Sequence, residues 1–279
     1  MTGLRAVFVD VDGTIVDHDG HVPTSAIAAI RAARRAGHLV FLCTGRTSAE
    51  LWPELTDIGF DGFVGAAGGY VEVGGQVLVH HGVPEASLRH ALDFFAAHDT
   101  FTYLQANDAI HATPPARDRM RALITAATGI DPDAAGPGPF GFIERVRTDA
   151  DVFAETITKV IFLQAPVPLT TIEAEFAGEF AVVPSSVRAF TGVSGEMSLP
   201  GVHKAAGLDA VVAHLGLDHA ATIAVGDSHN DLEMLQHAAL GIAMGNAVPE
   251  LVAVADDVTG RVDEDGLHAA FVRHGLIAG

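Results

Sequence analysis

Two acidic side chains follow a short apolar run near the start of the chain. Asp10 and Asp12 come after residues 6–9, whose β-branched and aromatic side chains predict a buried strand, and Gly13 is next. Carboxylates at the end of a buried strand are costly unless a cation, a proton or hydrogen bonds compensate them. The pair therefore indicates either a cation site or, because Asp-Gly is common in turns, an ordinary turn after a strand.

Further polar side chains occupy comparable positions later in the chain. Thr44 follows the apolar run 39–43, Lys204 begins a predicted helix, and Asp227 and Asp231 come after the apolar run 222–225. Each has an ordinary alternative explanation: a helix cap for Thr44, a solvated side chain for Lys204, and turn or capping roles for the two acids. Because the carboxyl ends of parallel strands share one edge of a sheet, we expect these distant residues to meet there.

Such a set of side chains would suit a cation and a phosphate group. Asp10, Asp12 and Asp227 offer the oxygen ligands that Mg²⁺ prefers, and the ion would offset the repulsion among the acids. Lys204 and backbone N–H groups at helix starts would hold phosphate oxygens. An aspartate can attack phosphorus, while a second carboxylate protonates the leaving oxygen and then activates water.

The elements that would position these residues alternate between strands and helices. Strands are predicted over 6–9, 39–43 and 62–65, with helical patterns beginning at Pro23 and Ser48 between them. The alternation resumes with a helix from His203, a strand at 222–225, a last strand and turn over 241–246, and helices from Pro249 and Asp263. The fold class predicted is α/β, with a doubly wound, mostly parallel sheet.

The pattern changes between these two blocks. A hairpin pattern over 70–80, around Gly74-Gly75, indicates where the chain leaves the sheet. Helices and strands are then mixed over residues 82–192, which include a Pro/Gly-rich stretch at 131–139, predicted as a loop, and a strand predicted over 187–190. We therefore predict a core of residues 1–81 and 193–279 with an α+β domain, 82–192, inserted into it.

Composition excludes several classes of partner. A formal net charge of −19 on 279 residues is unfavourable for binding nucleic acid or an anionic membrane, and no apolar run is long enough to cross a bilayer. The first strand begins after five residues, which leaves no room for a signal peptide, and Cys43 is the single cysteine. We expect a cytoplasmic protein without disulfides, in which Cys43 is a buried side chain and the 15 scattered histidines are mostly solvated.

The chain resembles the haloacid dehalogenase superfamily of hydrolases. Four of its segments are similar to the four motifs of that superfamily: Asp10-Val11-Asp12-Gly13-Thr14, Thr44-Gly45-Arg46, Lys204, and Gly226-Asp227-Ser228-His229-Asn230-Asp231. The approach to the lysine, residues 195–204, resembles that of the Cof-type phosphatases. The insert lies between the second and third motifs, as in members that carry a C2-type cap domain. The resemblance thus implies a Rossmann-like core with such a cap.

The same resemblance implies a role for each matching residue. Asp10 would be the nucleophile, and Asp12 the general acid and base, with its backbone carbonyl as a metal ligand. Thr44 and Lys204 would bind phosphate. The metal, Mg²⁺, would be held by Asp227 together with Asp10 and Asp12, and supported by Asp231 directly or through water.

Other residues beside the motifs are expected near the substrate or depart from the superfamily pattern. Gly45, Arg46 and Asn230 lie next to motif residues and are expected to contact it. Many relatives have glycine after the lysine and Asn-Gly after the third core strand, where this chain has Ala205 and Ala67-Gly68. These departures concern substrate contacts more than the chemistry.

The expected activity is a Mg²⁺-dependent phosphatase that hydrolyses small phosphorylated metabolites, such as sugar phosphates, through an aspartyl-phosphate. One alternative is a phosphotransferase or phosphomutase, in which the phosphoryl group passes to a second hydroxyl. Another is a non-catalytic binding protein on the same scaffold, against which the presence of Asp12 argues.

Overall fold

A computed structural model describes residues 3–17, 19–129, 141–185 and 192–279. The loop predicted over 131–139 and the strand predicted over 187–190 lie outside the described residues. The chain forms two compact units. The first unit comprises Met1–Gly45, Pro53–His80 and His203–Gly279, and the second comprises Arg46–Trp52 and His81–Val202.

The first unit contains an eight-stranded sheet. Its strands, in chain order, are β1 Ala6–Val9, β2 Leu39–Cys43, β3 Gly62–Gly65, β4 Tyr70–Val73, β5 Gln76–His80, β11 Thr222–Gly226, β12 Gly241–Ala243 and β13 Asp257–Val258; β6 to β10 belong to the second unit. The spatial order is β13-β12-β11-β1-β2-β3-β4-β5. The six strands from β13 to β3 are parallel, whereas β4 and β5 are antiparallel additions.

This strand order places β1 at the centre and makes the sheet doubly wound. From β1 the chain proceeds to β2 and β3 on one side, and β11, β12 and β13 extend the other side. The strand order therefore reverses between β1 and β11. In open α/β sheets, ligands bind outside the carboxyl ends of the strands at such a reversal.

Helices cover both faces of this sheet. They are α1 Thr24–Arg35, α2 Pro53–Thr56, α6 Lys204–Leu215, α7 Leu232–His237, α8 Pro249–Val252 and α9 Gly266–Arg273. Helices α6 and α7 pack on a buried cluster that includes Phe8 and Phe41, whose rings stack 5.0 Å apart. Since strand side chains alternate, Val7 and Val9 face the other side of the sheet. Burial of both faces explains why β1 is apolar throughout.

The second unit is an antiparallel sheet with helices. Its strands are β6 Phe101–Ala106, β7 Ile110–Ala112, β8 Ile157–Ala165, β9 Ala181–Pro184 and β10 Val193–Ser198, and its helices are α3 Glu85–Ala97, α4 Pro114–Thr128 and α5 Leu169–Glu175. The spatial order is β7-β6-β8-β10-β9. Helices α3 and α5 pack on one buried cluster and α4 on another, so this unit has its own hydrophobic core.

The structure differs from the sequence prediction at the borders of the insert. Strand β10, expected in the core block, pairs with β8 and β9 and belongs to the second unit. Residues 46–52 also belong to that unit. The helix predicted from Ser48 begins only at Pro53, as α2, and a short 3₁₀ turn at Ser48–Glu50 precedes it. Contacts with residues remote in sequence decide both outcomes: strand pairing for β10, and the hydrogen bond between Gln105 and Glu50 for residues 46–52.

Two further differences concern the edges of the first unit's sheet. The hairpin of β4 and β5 does not leave the sheet but extends it beyond β3. Strand β13, only two residues long, was not predicted because so short a segment carries no periodicity. Among the described residues, no helix has the length and apolar character needed to span a membrane.

Candidate active site

An ion-paired cluster lies at the carboxyl edge of the parallel sheet. Nζ of Lys204 donates hydrogen bonds to Oδ1 of Asp10, at 2.6 Å, and to Oδ1 of Asp231, at 2.7 Å. All three side chains are buried. Ligand atoms of Asp10, Asp227 and Asp231 lie within 4.8 Å of one another. The acidic residues from the two ends of the chain therefore meet, as the sheet topology predicts.

The register of the central strands brings these residues together. Val9 of β1 is paired with Leu42 of β2 and with Val225 of β11, so all three strands end at the same level. The N–H of Asp10 donates to the carbonyl of Val225, at 3.0 Å, and thereby extends the β1–β11 pairing by one residue. Asp227 follows two residues after Val225. The aspartates of the first and fourth motifs consequently come from adjacent strand ends.

Lys204 is positioned by the close approach of its helix to the loop after β3. A Cβ on Gly68 would lie 2.3 Å from the carbonyl oxygen of His203, and one on Gly207 would lie 2.4 Å from Val64. Only glycine permits this contact, and Gly68 also has a φ of +100°. The first residue of α6 is thus brought to the edge of the sheet, where its ammonium reaches Asp10.

Asp231 serves two purposes at once. Its Oδ2 accepts from the backbone N–H groups of Asp227 and Ser228, both at 3.1 Å, while its Oδ1 accepts from Lys204. The capping role considered for this acid is therefore present, and it fixes the turn that carries Asp227. A Cβ on Gly226 would lie 2.4 Å from the carboxyl carbon of Asp231, so the strand must end in glycine for this turn to form.

The side chain of Asn246 connects Asp227 to the backbone of Gly13. The side-chain amide of Asn246 donates to the carbonyl of Gly13, at 2.8 Å, and to Oδ2 of Asp227, at 3.3 Å. A Cβ on Gly13 would lie 2.0 Å from Oδ2 of Asp227, and the φ of Gly13 is +82°. Gly13 is therefore required twice, for its backbone conformation and for the approach of the carboxylate.

The electrostatics of the cluster follow from burial and from the excess of acids. Burial raises the pKa of Asp10, and the charge of Asp231 adds to the effect while Lys204 opposes it. Burial and the charge of Asp231 raise the pKa of Asp227 to about 7. For Lys204 burial alone would lower the pKa, but Asp10 and Asp231 outweigh it and the net shift is upward. The lysine is accordingly a permanent cation.

The cluster fits a divalent cation. Lys204 can neutralise only one of the three carboxylates of Asp10, Asp227 and Asp231. Oδ1 of Asp227 is buried and has no hydrogen-bond partner within the described part of the chain, which leaves it available as a ligand. A set of carboxylate oxygens suits hard ions such as Mg²⁺.

The remaining predicted site residues of the first unit occupy different environments. Asp12 is exposed in the tight turn after β1, in bridge contact with Val16. Thr44 is buried directly after β2, and its N–H donates to the carbonyl of Val64 at 2.8 Å. Asn230 is exposed, and its Oδ1 accepts from the hydroxyl of Ser228 at 2.8 Å. Gly45 is the last residue of the first unit before the chain enters the second.

Arg46, by contrast, belongs to the second unit. Its guanidinium lies over the ring of Trp52, 5.3 Å from the centroid, and the same segment carries the buried Glu50. Glu50 accepts from the amide of Gln105, at 2.7 Å, which attaches this segment to β6. Burial raises the pKa of Glu50, and Arg46 opposes that shift. The substrate contact predicted for Arg46 remains a prediction.

Asn246 is the residue that sequence reasoning missed. It connects the turn after β1, the carboxylate of Asp227 and, through its Oδ1, the N–H of Val262 at 2.9 Å. One feature of the sequence could have indicated a role for Asn246: it lies in the turn that directly follows the parallel strand β12. Cys43, expected to be a buried side chain, is a buried free thiol whose pKa is raised by burial.

Comparisons with known proteins give a consistent result. The family of haloacid dehalogenase-like hydrolases matches residues 7–271. A Bacillus subtilis (strain 168) protein named "Putative phosphatase YkrA" is 32% identical over 279 residues, covering 98% of each chain. A phosphoglycolate phosphatase of Methanothermobacter thermautotrophicus is 28% identical, covering 97% of this chain and 98% of its own.

The fold is also similar to that of solved structures. The crystal structure of a hypothetical protein from Geobacillus kaustophilus HTA426 superimposes with a TM-score of 0.83 at 25% sequence identity, covering 99% of this chain and all of the other. The similarity thus extends over both units.

Proposed function

The chain belongs to the haloacid dehalogenase-like hydrolases and is a phosphatase of that superfamily, and we propose that it is a Mg²⁺-dependent enzyme that hydrolyses small phosphorylated metabolites through an aspartyl-phosphate at Asp10. The observation that carries this proposal is the convergence of Asp10, Asp227 and Asp231 around the ammonium of Lys204. An ordinary turn or cap requires no buried lysine shared between two strand ends.

The cation is assigned to the carboxylates of Asp10 and Asp227, with Asp231 as support and the backbone carbonyl of Asp12 as a further ligand. When bound, Mg²⁺ supplies positive charge that offsets repulsion between these acids and an incoming phosphate. This assignment is supported by the buried Oδ1 of Asp227, for which the described ranges of the chain provide no hydrogen-bond partner.

Asp10 provides the nucleophile. One of its carboxylate oxygens attacks phosphorus, and the bond between phosphorus and the ester oxygen breaks as the aspartyl-phosphate forms. Lys204 holds the carboxylate in place and offers N–H donors to the phosphoryl oxygens. Thr44, buried after β2, is assigned a hydrogen bond to the same group.

Asp12 transfers the protons. Its carboxyl gives a proton to the departing alkoxide, and it then takes a proton from the water that attacks the phosphoryl group, which releases inorganic phosphate and restores Asp10. Its exposure is compatible with exchange of protons with solvent. The second unit is proposed to act as the cap that selects the substrate, and its segment with Arg46 as part of that selection.

The substrate class proposed is a small phosphate monoester, such as a sugar phosphate or a phosphorylated hydroxy acid. The relative from Methanothermobacter thermautotrophicus is named a phosphoglycolate phosphatase, which supports inclusion of the second group. Release of inorganic phosphate from a panel of such esters, with and without Mg²⁺, tests the proposal. Phosphate release that persists in excess chelator would exclude a role for the metal in the reaction. If no ester of the panel released phosphate, small phosphate monoesters would be excluded as the substrate class.

A second experiment separates hydrolysis from transfer. If the aspartyl-phosphate passes to a second hydroxyl, added alcohols and sugars will reduce the release of inorganic phosphate and yield phosphorylated acceptors. The hydrolase proposal predicts release of one phosphate for each ester consumed, irrespective of acceptor.

A further inference from the structure

A histidine-rich cluster lies on the surface of the first unit and takes no part in the proposed chemistry. It consists of Asp209, His219 and His237, each of which offers a ligand atom within 4.8 Å of the other two. All three residues are exposed. The cluster differs from the one around Asp10 because it combines two imidazoles with a single carboxylate.

Three separate elements contribute these residues. Asp209 lies within α6, His237 is the last residue of α7, and His219 begins the 3₁₀ turn His219–Ala221. Helix α6 ends at Leu215, the φ of +61° at Gly216 turns the chain, and His219 follows three residues after Gly216. The three side chains are therefore brought together by packing, with no regular spacing in the sequence.

The backbones that carry the two histidines are connected by one hydroxyl. Oγ1 of Thr222 donates to the carbonyl of His219, at 2.7 Å, and accepts from the N–H of Ala239, at 2.9 Å. Ala239 is two residues beyond His237. The carboxylate of Asp218 also accepts from the N–H of Ala220, at 2.9 Å, which caps the turn at its start. Both histidines consequently project from backbone that is already held in place.

The side chains are in contact with one another. Nε2 of His237 lies 2.7 Å from Oδ1 of Asp209, and the rings of His219 and His237 are edge to face with centroids 4.9 Å apart. Ligands about 2.0–2.2 Å from a tetrahedral ion are separated by about 3.4 Å. Small rotations of exposed side chains suffice to reach that spacing.

The chemistry of these ligands selects the kind of ion. Imidazole nitrogens suit Zn²⁺, Ni²⁺ and Cu²⁺, whereas Mg²⁺ prefers oxygen and water. Two histidines and one aspartate supply three ligands of a zinc site and leave one position for water. The strongly acidic chain, with a net charge of −19, also favours accumulation of cations near its surface.

We propose that Asp209, His219 and His237 form a Zn²⁺-binding site that is separate from the carboxylate site at Asp10. Binding replaces the hydrogen bond between His237 and Asp209: the neutral imidazole of His237 binds the ion through Nε2 and carries its one proton on Nδ1, while the carboxylate of Asp209 binds the ion through oxygen. The bound ion links α6 to α7. These helices begin beside the active-site cluster, since Lys204 is the first residue of α6 and Asp231 directly precedes α7.

The test is a calorimetric titration of the untagged chain with Zn²⁺, with Mg²⁺ in large excess to occupy the carboxylate site. We expect one Zn²⁺ per chain for the wild type, and at least a tenfold weaker affinity for the double variant His219→Ala/His237→Ala. His214→Ala is the matched control, because His214 is an exposed histidine on α6 outside the cluster. It should bind like the wild type.

Two further measurements make the outcome decisive. Zn²⁺ should raise the Tm of the wild type and of His214→Ala but not of the double variant. Co²⁺ in place of Zn²⁺ should give a visible absorption band that the double variant lacks. The proposal is overturned if the wild type binds no Zn²⁺ beside Mg²⁺, or if the double variant binds it equally well. Neither result bears on phosphatase activity.

Discussion

Nζ of Lys204 lies 2.6 Å from Oδ1 of Asp10, although 194 positions separate the two residues in the chain. Both side chains are buried, and the same ammonium contacts Asp231. The proposed nucleophile, which follows strand β1, is thus held by the first residue of α6, and the second unit lies between them in the sequence. Removal of either partner leaves a buried charge without its counter-ion, and this has consequences for stability as well as for chemistry.

Replacement of Lys204 by methionine should destabilise the protein by about 3 kcal/mol, because two buried carboxylates lose their shared counter-ion. Urea unfolding at pH 8 in a chelator measures this change. The double variant Lys204→Met/Asp10→Asn should lose less free energy of unfolding than the sum of the two single losses. Without the lysine, the carboxylates of Asp10 and Asp231 repel each other, and Asp10→Asn removes one of these two charges. Strict additivity of the two substitutions would show that the ion pair contributes no coupling.

Replacement of Asp10 by asparagine should reduce hydrolysis of phosphate esters by about 10⁴-fold or more, because an amide cannot form the aspartyl-phosphate. Steady-state release of inorganic phosphate is the measurement. The exposed Asp57 offers a matched control, for which the same substitution should leave the rate unchanged. Turnover retained by Asp10→Asn would eliminate Asp10 as the nucleophile.

Replacement of Asp227 by asparagine should stabilise the metal-free protein, and increasingly so at higher pH. The pKa of Asp227 is raised from 3.8 to about 7, chiefly by burial. The folded state therefore keeps a proton that the unfolded chain releases, and the contribution of this group to stability is lost as the pH rises through about 7. The Tm difference between variant and wild type, measured in chelator, should be small near pH 4 and about 3 °C or more at pH 8.

A Tm difference between Asp227→Asn and the wild type that does not change with pH would contradict the raised pKa of Asp227. The comparison between variant and wild type cancels the contributions of the other titrating groups, provided that both are measured in the same buffers. In the presence of Mg²⁺ the order should reverse, because the wild type retains a ligand that the variant lacks.

Replacement of Gly13 by alanine should abolish activity and lower stability. Its Cβ would lie 2.0 Å from Oδ2 of Asp227, in addition to the strain of a φ of +82°. Gly37→Ala is the matched control, because Gly37 has a φ of +93° but no atom within 4 Å of the added Cβ. The free energy of unfolding of Gly37→Ala should fall by about 1 kcal/mol while its activity is retained, and that of Gly13→Ala should fall by more.

Comparison of the two variants by urea unfolding and by phosphate release isolates the contact with Asp227 from the backbone strain. Equal losses in the two variants would mean that the approach of the carboxylate to Gly13 is not needed.

The parallel part of the first unit could be predicted because its signals are local. Apolar runs such as residues 6–9 and 222–225, each followed by acids, indicate strands that end at a polar edge, and the βαβ alternation indicates which edge they share. The meeting of Asp10 and Asp227 follows from that topology. The start of α6 at Lys204 was likewise predictable.

Other parts of the structure depend on pairings that no local pattern specifies. Strand β10 joins the second unit because β8 and β9 accept it on both sides. The segment 46–52 begins with the last residue of the motif Thr44-Gly45-Arg46, yet the hydrogen bond between Glu50 and Gln105 attaches it to the second unit. Asn246 was missed for the same reason, since its partners lie far away in sequence.

The order of residues along the chain was enough to predict which side chains could do chemistry and the α/β class of the core, because residue type and hydrophobic periodicity are local properties. The resemblance of the motifs to those of a known superfamily added the expectation of a phosphatase. Folding was needed to show that Lys204 pairs with Asp10 and Asp231, and that two histidines join Asp209 at the surface. It also showed that one buried oxygen of Asp227 has no hydrogen-bond partner among the residues that the structure describes. These relationships depend on close approach of helices and turns, which packing and glycine positions control and which spacing along the chain does not encode.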